Sequence, residues 1–177
     1  KTDGYGHGGI PIARHIEKLD FLFGFAVATA EEAFELREAG IEKPILVLSY
    51  TFPYAYERLI KEDIRVTVFR EDTLEDLKKS SEKTGKKAYV HIKVDTGMGR
   101  IGIQPDDKGI DFVKNALDTT GIHVEGIYTH FATSGIIDKH WDNQLENDSY
   151  LHALLTPMEY NGMARENQLR FDSSKIF

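Results

Sequence analysis

The chain has 177 residues, of which 41% are hydrophobic and 29% charged, with a formal net charge of -7 and no cysteine. This composition is typical of a soluble globular domain, and the acidic balance argues against a general binder of nucleic acid or anionic membranes. Without cysteine the chain forms neither disulfides nor thiolate zinc sites, so we expect a reducing compartment, the cytoplasm. We expect neither a membrane-spanning helix nor a signal peptide, since no run of about 18 apolar residues and no cleavable leader pattern is seen.

Five apolar runs, rich in β-branched and aromatic residues, predict β-strands along the first three quarters of the chain. They are residues 22–28, 45–50, 65–69, 88–95 and 124–131. Their starts lie 20 to 36 residues apart, which leaves room for one helix in each gap. This repeating strand and helix order predicts an α/β fold with a parallel sheet.

Three of the gaps contain helix signals. Thr29 with Glu32 predicts a capping box at the start of the first helix. Thr73 predicts the start of the second, and Pro105 the first turn of the third. Glycines are placed to end these helices: Gly40, Gly85 and Gly121. The remaining gap, between the predicted strands 45–50 and 65–69, opens with an aromatic run, residues 50–56, which predicts a loop.

Beyond residue 134 the strand and helix pattern fades. One polar helix is predicted around residues 141–155, followed by a turn at Thr156-Pro157 and a weak strand at 169–171. The other end of the chain begins at Lys1, inside a glycine-rich motif and without an initiator methionine, so we expect a fragment.

The strand predicted at 88–95 has two different faces. Val90, Ile92 and Val94 alternate with Tyr89, His91, Lys93 and Asp95. A buried lysine without a partner is costly, so the polar face must meet a polar cavity or compensating charges, as in the lumen of a βα barrel near its C-terminal rim. The alternative is an edge strand with one wet face.

Two segments, residues 4–9 and 97–102, match the pattern G-x-G-x-x-G. The dinucleotide-binding fingerprint also needs a preceding strand, an immediate helix and an acidic residue about 20 positions later, and neither segment has all three. Both therefore favour glycine-rich turns. The seven histidines show no metal-ligand spacing, so no metal site is predicted.

Three separate segments of the chain carry distinctive motifs. Residues 1–8, K-T-D-G-Y-G-H-G, resemble the segment that attaches pyridoxal 5'-phosphate in the alanine racemase family of bacteria. Residues 91–102, H-I-K-V-D-T-G-M-G-R-I-G, are similar to its arginine-bearing loop, and residues 126–132, G-I-Y-T-H-F-A, to a third conserved segment. The three segments occur in the family's order.

The resemblance implies roles for six residues. Lys1 would hold the cofactor covalently and act as one of two proton-transfer bases, and Tyr5 would hydrogen-bond the cofactor phosphate. Leu48 would touch the cofactor ring. Arg100 would donate to the phenolic oxygen of the cofactor and help to place the substrate carboxylate. His130 would support a second arginine at the pyridine nitrogen, and Lys93 matches a position that is carbamylated in some members.

The resemblance also implies a (β/α)8 barrel of which about five of eight strands are present, with residues 1–134 as the partial cofactor-binding barrel and 135–177 as a diverged continuation. The implied activity is interconversion of L- and D-alanine for peptidoglycan synthesis, in a homodimer whose second base is a tyrosine of a C-terminal domain. We therefore expect the 177 residues alone to be inactive. A serine or broad-specificity racemase, and a non-catalytic pyridoxal-phosphate-binding barrel, remain alternatives.

Overall fold

The computed structural model describes residues 2–131, so the helix, turn and strand predicted beyond residue 134 lie outside the described residues. Within them the strands are β1 Phe25–Val27, β2 Ile45–Val47, β3 Ile64–Val68, β4 Ala88–Val94 and β5 Ile122–Thr129. The helices are α1 Thr2–Gly6, α2 Gly9–Ile16, α3 Ala30–Glu38, α4 Tyr56–Lys61, α5 Glu71–Thr84 and α6 Asp107–Asp118, with a 3-10 turn at Pro53–Ala55. No helix of this described part is long and apolar enough to cross a membrane.

The strands form one sheet in the order β1-β2-β3-β4-β5. β1 pairs with β2 and β2 with β3, both in parallel, and Ile45 stands opposite Phe25 on one side and Ile64 on the other. The predicted α/β fold with a parallel sheet is therefore confirmed. β5 starts two residues before its predicted start, because the amide of Ala88 bonds the carbonyl of Gly121 at 2.9 Å and so brings that segment beside β4.

The described residues divide into two compact units. The first comprises residues 2–67 with Glu75–Val90 and Thr120–His123, and the second comprises Val68–Leu74, His91–Thr119 and residues 124–131. Both units contain buried apolar side chains. The largest buried side chains of the first unit include Ile45, Val66, Tyr56, Leu59 and Leu77, and those of the second include Leu74, Ile92, Val94, Phe112 and Val113.

The first helix prediction is confirmed in detail. Thr29 is the N-cap of α3, and its hydroxyl accepts a hydrogen bond from the amide of Glu32 at 3.3 Å. The carboxylate of Glu32 accepts from the amide of Ala28 at 2.7 Å, so the reciprocal bond of the capping box reaches one residue further back. Gly40 follows the helix with φ of 87°, the left-handed conformation that favours glycine at this position.

The predicted starts of the other two helices were wrong by two residues each. α5 begins at Glu71, before Thr73, because acidic residues occupy its first turn where they favour the helix dipole. α6 begins at Asp107, after Pro105, because the carboxylate of Asp106 caps it by accepting from the amide of Gly109 at 2.9 Å.

The loop predicted at residues 50–56 was also wrong in its second half. Pro53 opens a 3-10 turn that leads directly into α4. Tyr56 is completely buried, and its hydroxyl donates to the carbonyl of Thr51 at 2.7 Å. An aromatic residue with a buried hydrogen-bond partner belongs to the core, whereas Phe52 and Tyr54 are exposed as expected of a loop.

Candidate active site

β4 carries the polar face predicted from its sequence. Val90, Ile92 and Val94 are completely buried on one face, and on the other Lys93 is only 3% exposed. The alternative of an edge strand is wrong for the described sheet, since β4 lies between β3 and β5. The lysine is buried inside the protein and must therefore be stabilised by its neighbours there.

Those neighbours lie in the second unit. The ammonium Nζ of Lys93 donates to the carbonyl of Val94 at 3.1 Å and lies 5.3 Å from the ring centroid of Tyr128. Burial lowers the pKa of Lys93 below its usual value, Asp95 acts in the opposite direction, and the positive charge of Arg100 lowers it further. The neutral amine is therefore more populated than in an exposed lysine.

The loop after β4 is closed at its base by backbone hydrogen bonds. The amide of Asp95 donates to the carbonyl of Ile103 at 2.9 Å, and the amide of Ile103 donates to the carbonyl of Lys93 at 2.9 Å. Gly102 lies so close that a Cβ there would stand 2.5 Å from the nitrogen of Asp95, which no other residue type allows. Residues 95–103 thus form a fixed loop, which we call the Arg100 loop.

The interior of the Arg100 loop is organised by one carboxylate. Oδ1 of Asp95 accepts hydrogen bonds from the amides of Gly97 and Gly99, both at 3.0 Å. Burial alone would raise the pKa of Asp95, but these amides and the neighbouring Lys93 lower it below its usual value. Asp95 is therefore a stable anion beneath the loop.

Arg100 itself is exposed at the end of this loop. Among the described residues its guanidinium has no hydrogen-bond or ion-pair partner, although its charge acts on Lys93. Thr96, at the start of the loop, is buried, and its hydroxyl lies 2.7 Å from the hydroxyl of Thr129 at the end of β5. His130 follows directly after β5 and is exposed.

A second polar group lies lower on β4. Nε2 of His91 is 3.1 Å from Oε2 of Glu125, and both side chains are about one fifth exposed. Gly126 makes room for the ring, since a Cβ there would stand 2.7 Å from Nδ1 of His91. The strand pair therefore holds a histidine and a carboxylate at a contact that only glycine permits.

Two further predicted site residues lie in the first unit. Tyr5 is 72% exposed in α1, which is a left-handed turn and not a regular helix, since its three central residues have φ angles of 52°, 58° and 61°. The carboxylate of Asp3 accepts from the amide of Gly9 at 2.8 Å and holds this turn against α2. Leu48 follows β2 directly and is 38% exposed, an apolar side chain at the carboxyl end of a strand. Lys1 lies outside the described residues.

The structure thus brings Lys93 and Arg100 together within one unit, with His130 at the adjoining strand end. The sequence analysis missed the two hydrogen bonds that Asp95 accepts from Gly97 and Gly99 and the contact between Thr96 and Thr129. The bonds of Asp95 could have been predicted, since an aspartate followed by glycines two and four positions later favours an Asx turn. The threonine contact had no such signal in the sequence. Within residues 2–131 no three histidine or carboxylate side chains could together hold a metal ion.

The amino-acid sequence has clear relatives. The family model described as alanine racemase, N-terminal domain, matches residues 1–163. Alanine racemase 1 of Oceanobacillus iheyensis is 40% identical over 168 residues, which cover 95% of this chain and 42% of that protein. The alanine racemase of Halothermothrix orenii is 45% identical over 139 residues, covering 78% of this chain and 36% of that protein.

Solved structures agree with these relatives. The alanine racemase of Clostridium difficile 630 in complex with cycloserine matches with a TM-score of 0.83 and 36% identity, covering 89% of this chain and 43% of that chain. The alanine racemase of Bacillus anthracis with bound L-Ala-P matches with a TM-score of 0.78 and 31% identity, covering 88% and 40%. The prediction of a partial (β/α)8 barrel is thereby confirmed.

The chain spans less than half the length of these relatives. The match nevertheless extends over most of the chain itself and includes all three segments that carried the resemblance. This chain therefore belongs to the alanine racemase family, in the part that corresponds to its N-terminal domain.

Proposed function

We propose that the protein is a pyridoxal-phosphate-dependent racemase that interconverts L- and D-alanine. Membership of the family supports this activity, since the relatives described above are named alanine racemases. We extend the proposal to a cytoplasmic homodimer that supplies D-alanine for peptidoglycan.

The structural observation that carries the proposal is the presentation of Arg100. Its guanidinium is exposed, lacks a hydrogen-bond partner among residues 2–131, and stands on a loop whose backbone amides are bonded internally. A guanidinium in this situation can donate two parallel hydrogen bonds to a carboxylate. It therefore suits a small substrate that carries a carboxylate, as alanine does.

Residues of each unit, taken by itself, also fit the cofactor. Pyridoxal phosphate has anionic oxygens and a flat apolar ring, and when bound to an amino acid it takes up the electron pair left by removal of the Cα proton. In the second unit, the exposed Arg100 would donate to its phenolic oxygen, and His130 would support an arginine at the pyridine nitrogen. In the first unit, the family resemblance assigns the hydroxyl of Tyr5 to the phosphate and the exposed Leu48 to the ring.

Lys1 is the proposed base on one face of the substrate. Racemisation needs a group that removes the Cα proton on one face and a group that returns a proton on the other. A lysine serves this purpose when burial and neighbouring cations lower its pKa. The second base is proposed to be a tyrosine from the other subunit.

Lys93 is proposed to act on Arg100 through a carbamate. Its neutral amine would react with CO2, forming an N–C bond and releasing one proton. The resulting anion would stand near the guanidinium of Arg100 and orient it. The lowered pKa of Lys93 supports this reaction, because only the neutral amine is nucleophilic.

Borohydride reduction tests the assignment of Lys1. The protein in its longest natural form is loaded with pyridoxal phosphate, reduced, digested and mapped by mass spectrometry. We expect the cofactor mass on the peptide that contains Lys1, loss of this label in Lys1→Arg, and retention in the exposed control Lys18→Arg. A label on another lysine, or no label in a folded protein, would contradict the assignment.

A comparison of racemisation rates tests the substrate preference. We expect alanine to be racemised faster than serine, and the reverse order would favour a serine racemase.

A further inference from the structure

We propose that Asp95 is a positioning residue for Arg100: by accepting hydrogen bonds from the amides of Gly97 and Gly99, its carboxylate fixes the loop that carries the guanidinium. The inference rests on the proposed function in one respect, since it takes Arg100 to contact cofactor and substrate. It adds to that function a residue that never touches either.

The backbone of the Arg100 loop fixes the point from which the side chain of Arg100 extends, and a carbamate on Lys93 could orient the guanidinium only from that point. The guanidinium is exposed and has no hydrogen-bond or ion-pair partner within the part of the chain that the structure describes. Long side chains of this kind occupy many rotamers unless contacts restrict them. The region that the guanidinium can reach is therefore set by the backbone of the Arg100 loop.

The backbone of the Arg100 loop can adopt many conformations, because it contains three glycines. Gly97, Gly99 and Gly102 have φ angles of 122°, 67° and 135°, conformations that glycine adopts readily but exchanges with many others. The bonds between Asp95 and Ile103 close only the base of the loop, and within residues 2–131 the amides of Gly97 and Gly99 donate to a side chain rather than to the backbone. An additional contact is needed to select one conformation.

Asp95 supplies that contact from a fixed position. Its side chain is nearly buried, at 7% exposed, and one oxygen bonds the amides on both sides of Met98. Hydrogen bonds to an ionised carboxylate are stronger than those between neutral groups. Thr96 anchors the start of the loop to Thr129, so the carboxylate acts from a base that is itself held.

The test compares variants of the protein in its longest natural form, assayed with pyridoxal phosphate and alanine. Asp95→Ala is expected to lower kcat/KM by about 10- to 100-fold, because a misplacement of about 1 Å has effects of this size. Asp95→Asn retains the acceptor oxygen and is expected to recover most of the loss. The matched control is Asp106→Ala, which removes a similar bond to the amide of Gly109 at the start of α6 and should leave kcat/KM unchanged.

A double-variant cycle separates positioning from general destabilisation. If Asp95 acts through Arg100, the combination of Asp95→Ala with Arg100→Lys should be no slower than Arg100→Lys alone. Independent effects that multiply would overturn the proposal, as would an unchanged kcat/KM in Asp95→Ala. If Asp95→Ala does not fold by circular dichroism, the cycle is run with Asp95→Ser and judged by the same outcomes.

Amide hydrogen exchange gives a readout that does not depend on activity. Asp95→Ala should accelerate exchange at Gly97 and Gly99 while leaving α6 protected, and Asp106→Ala should do the opposite. Unchanged exchange at the two glycines would overturn the proposal. A wild-type protein without racemase activity would instead remove the proposed function, and the claim about Asp95 would then be decided by exchange alone.

Discussion

Lys93 combines burial with two neighbouring charges of opposite sign. Since burial lowers its pKa in the folded protein, the folded state binds the proton less tightly than the unfolded chain does. Between the lowered pKa of the folded state and the unfolded value of about 10.4, the contribution of this residue to the free energy of unfolding therefore rises with pH. Below that window the charged form is buried at a cost, which Asp95 and the contact with Tyr128 reduce.

The same proton equilibrium predicts when Lys93 reacts with CO2. We expect a carbamate signal in carbon-13 NMR with labelled bicarbonate, and its intensity should grow as pH rises through the lowered pKa. Lys93→Met should remove the signal, whereas Lys87→Met, a change at an exposed lysine, should leave it. The same signal in both variants, or no signal at any pH at which the protein is folded, would refute the carbamate.

At the scale of elements, Arg37 connects the end of α3 to two other segments. Its Nη1 donates to the carbonyls of Ile41 and Lys43 at 2.6 and 2.8 Å, and its Nε donates to that of Glu62 at 2.9 Å. Nη2 donates to the carbonyl of Asp63 at 3.1 Å. One planar guanidinium thus satisfies carbonyls at the end of α4 and in the connection from α3 to β2, a geometry that an ammonium cannot reproduce.

Arg37→Lys is therefore expected to lower the free energy of unfolding by about 1–3 kcal/mol, since hydrogen bonds to charged groups contribute about this much and three partly buried carbonyls lose their donor. Urea unfolding followed by circular dichroism measures the change. The control is Arg14→Lys, where two donors serve the single exposed carbonyl of Ala39 and the loss should be below about 1 kcal/mol. An equal loss in both variants would show that Arg37 does not link these elements.

Local sequence patterns predicted the strands and one helix start, but not the contacts between distant segments. The centres of all five strands were predictable, because each is a run of β-branched and aromatic residues. The start of α3 was predictable because the side chain of Thr29 caps the helix. The start of α6 lies two residues after the predicted first turn at Pro105, because the side chain of Asp106 caps the helix by accepting from the amide of Gly109. The four bonds of Arg37 leave no local pattern, since their acceptors are backbone carbonyls up to 26 residues away.

The site followed the same division. Arg100 and Lys93 were predictable because they lie in a segment that resembles a known motif. The pairing of Thr96 with Thr129 was not, since it joins residues 33 positions apart through two common hydroxyl side chains. The residues that carry the chemistry, and the Asx turn at Asp95, were thus visible in the sequence, whereas the contact between Thr96 and Thr129 required the fold.

At the scale of the whole molecule, the segment that precedes the outermost strand β1 exposes two large apolar side chains. β1 has only three residues and stands at one end of the described sheet. Phe21 and Phe23, just before it, are 83% and 69% exposed. Outer strands with apolar neighbours tend to pair with other chains, and charged residues at such positions prevent this pairing.

We therefore expect the 177-residue polypeptide, prepared alone, to associate as its concentration rises in sedimentation velocity experiments, despite its net charge of -7. Phe23→Glu should shift it towards the monomer, because a carboxylate beside the outer strand opposes apolar contact and strand pairing. Phe52→Glu is the matched control, since Phe52 is similarly exposed at 60% but follows β2 rather than preceding β1. A wild-type chain that stays monomeric, or an equal shift towards the monomer in both variants, would show that the exposed phenylalanines before β1 do not govern association.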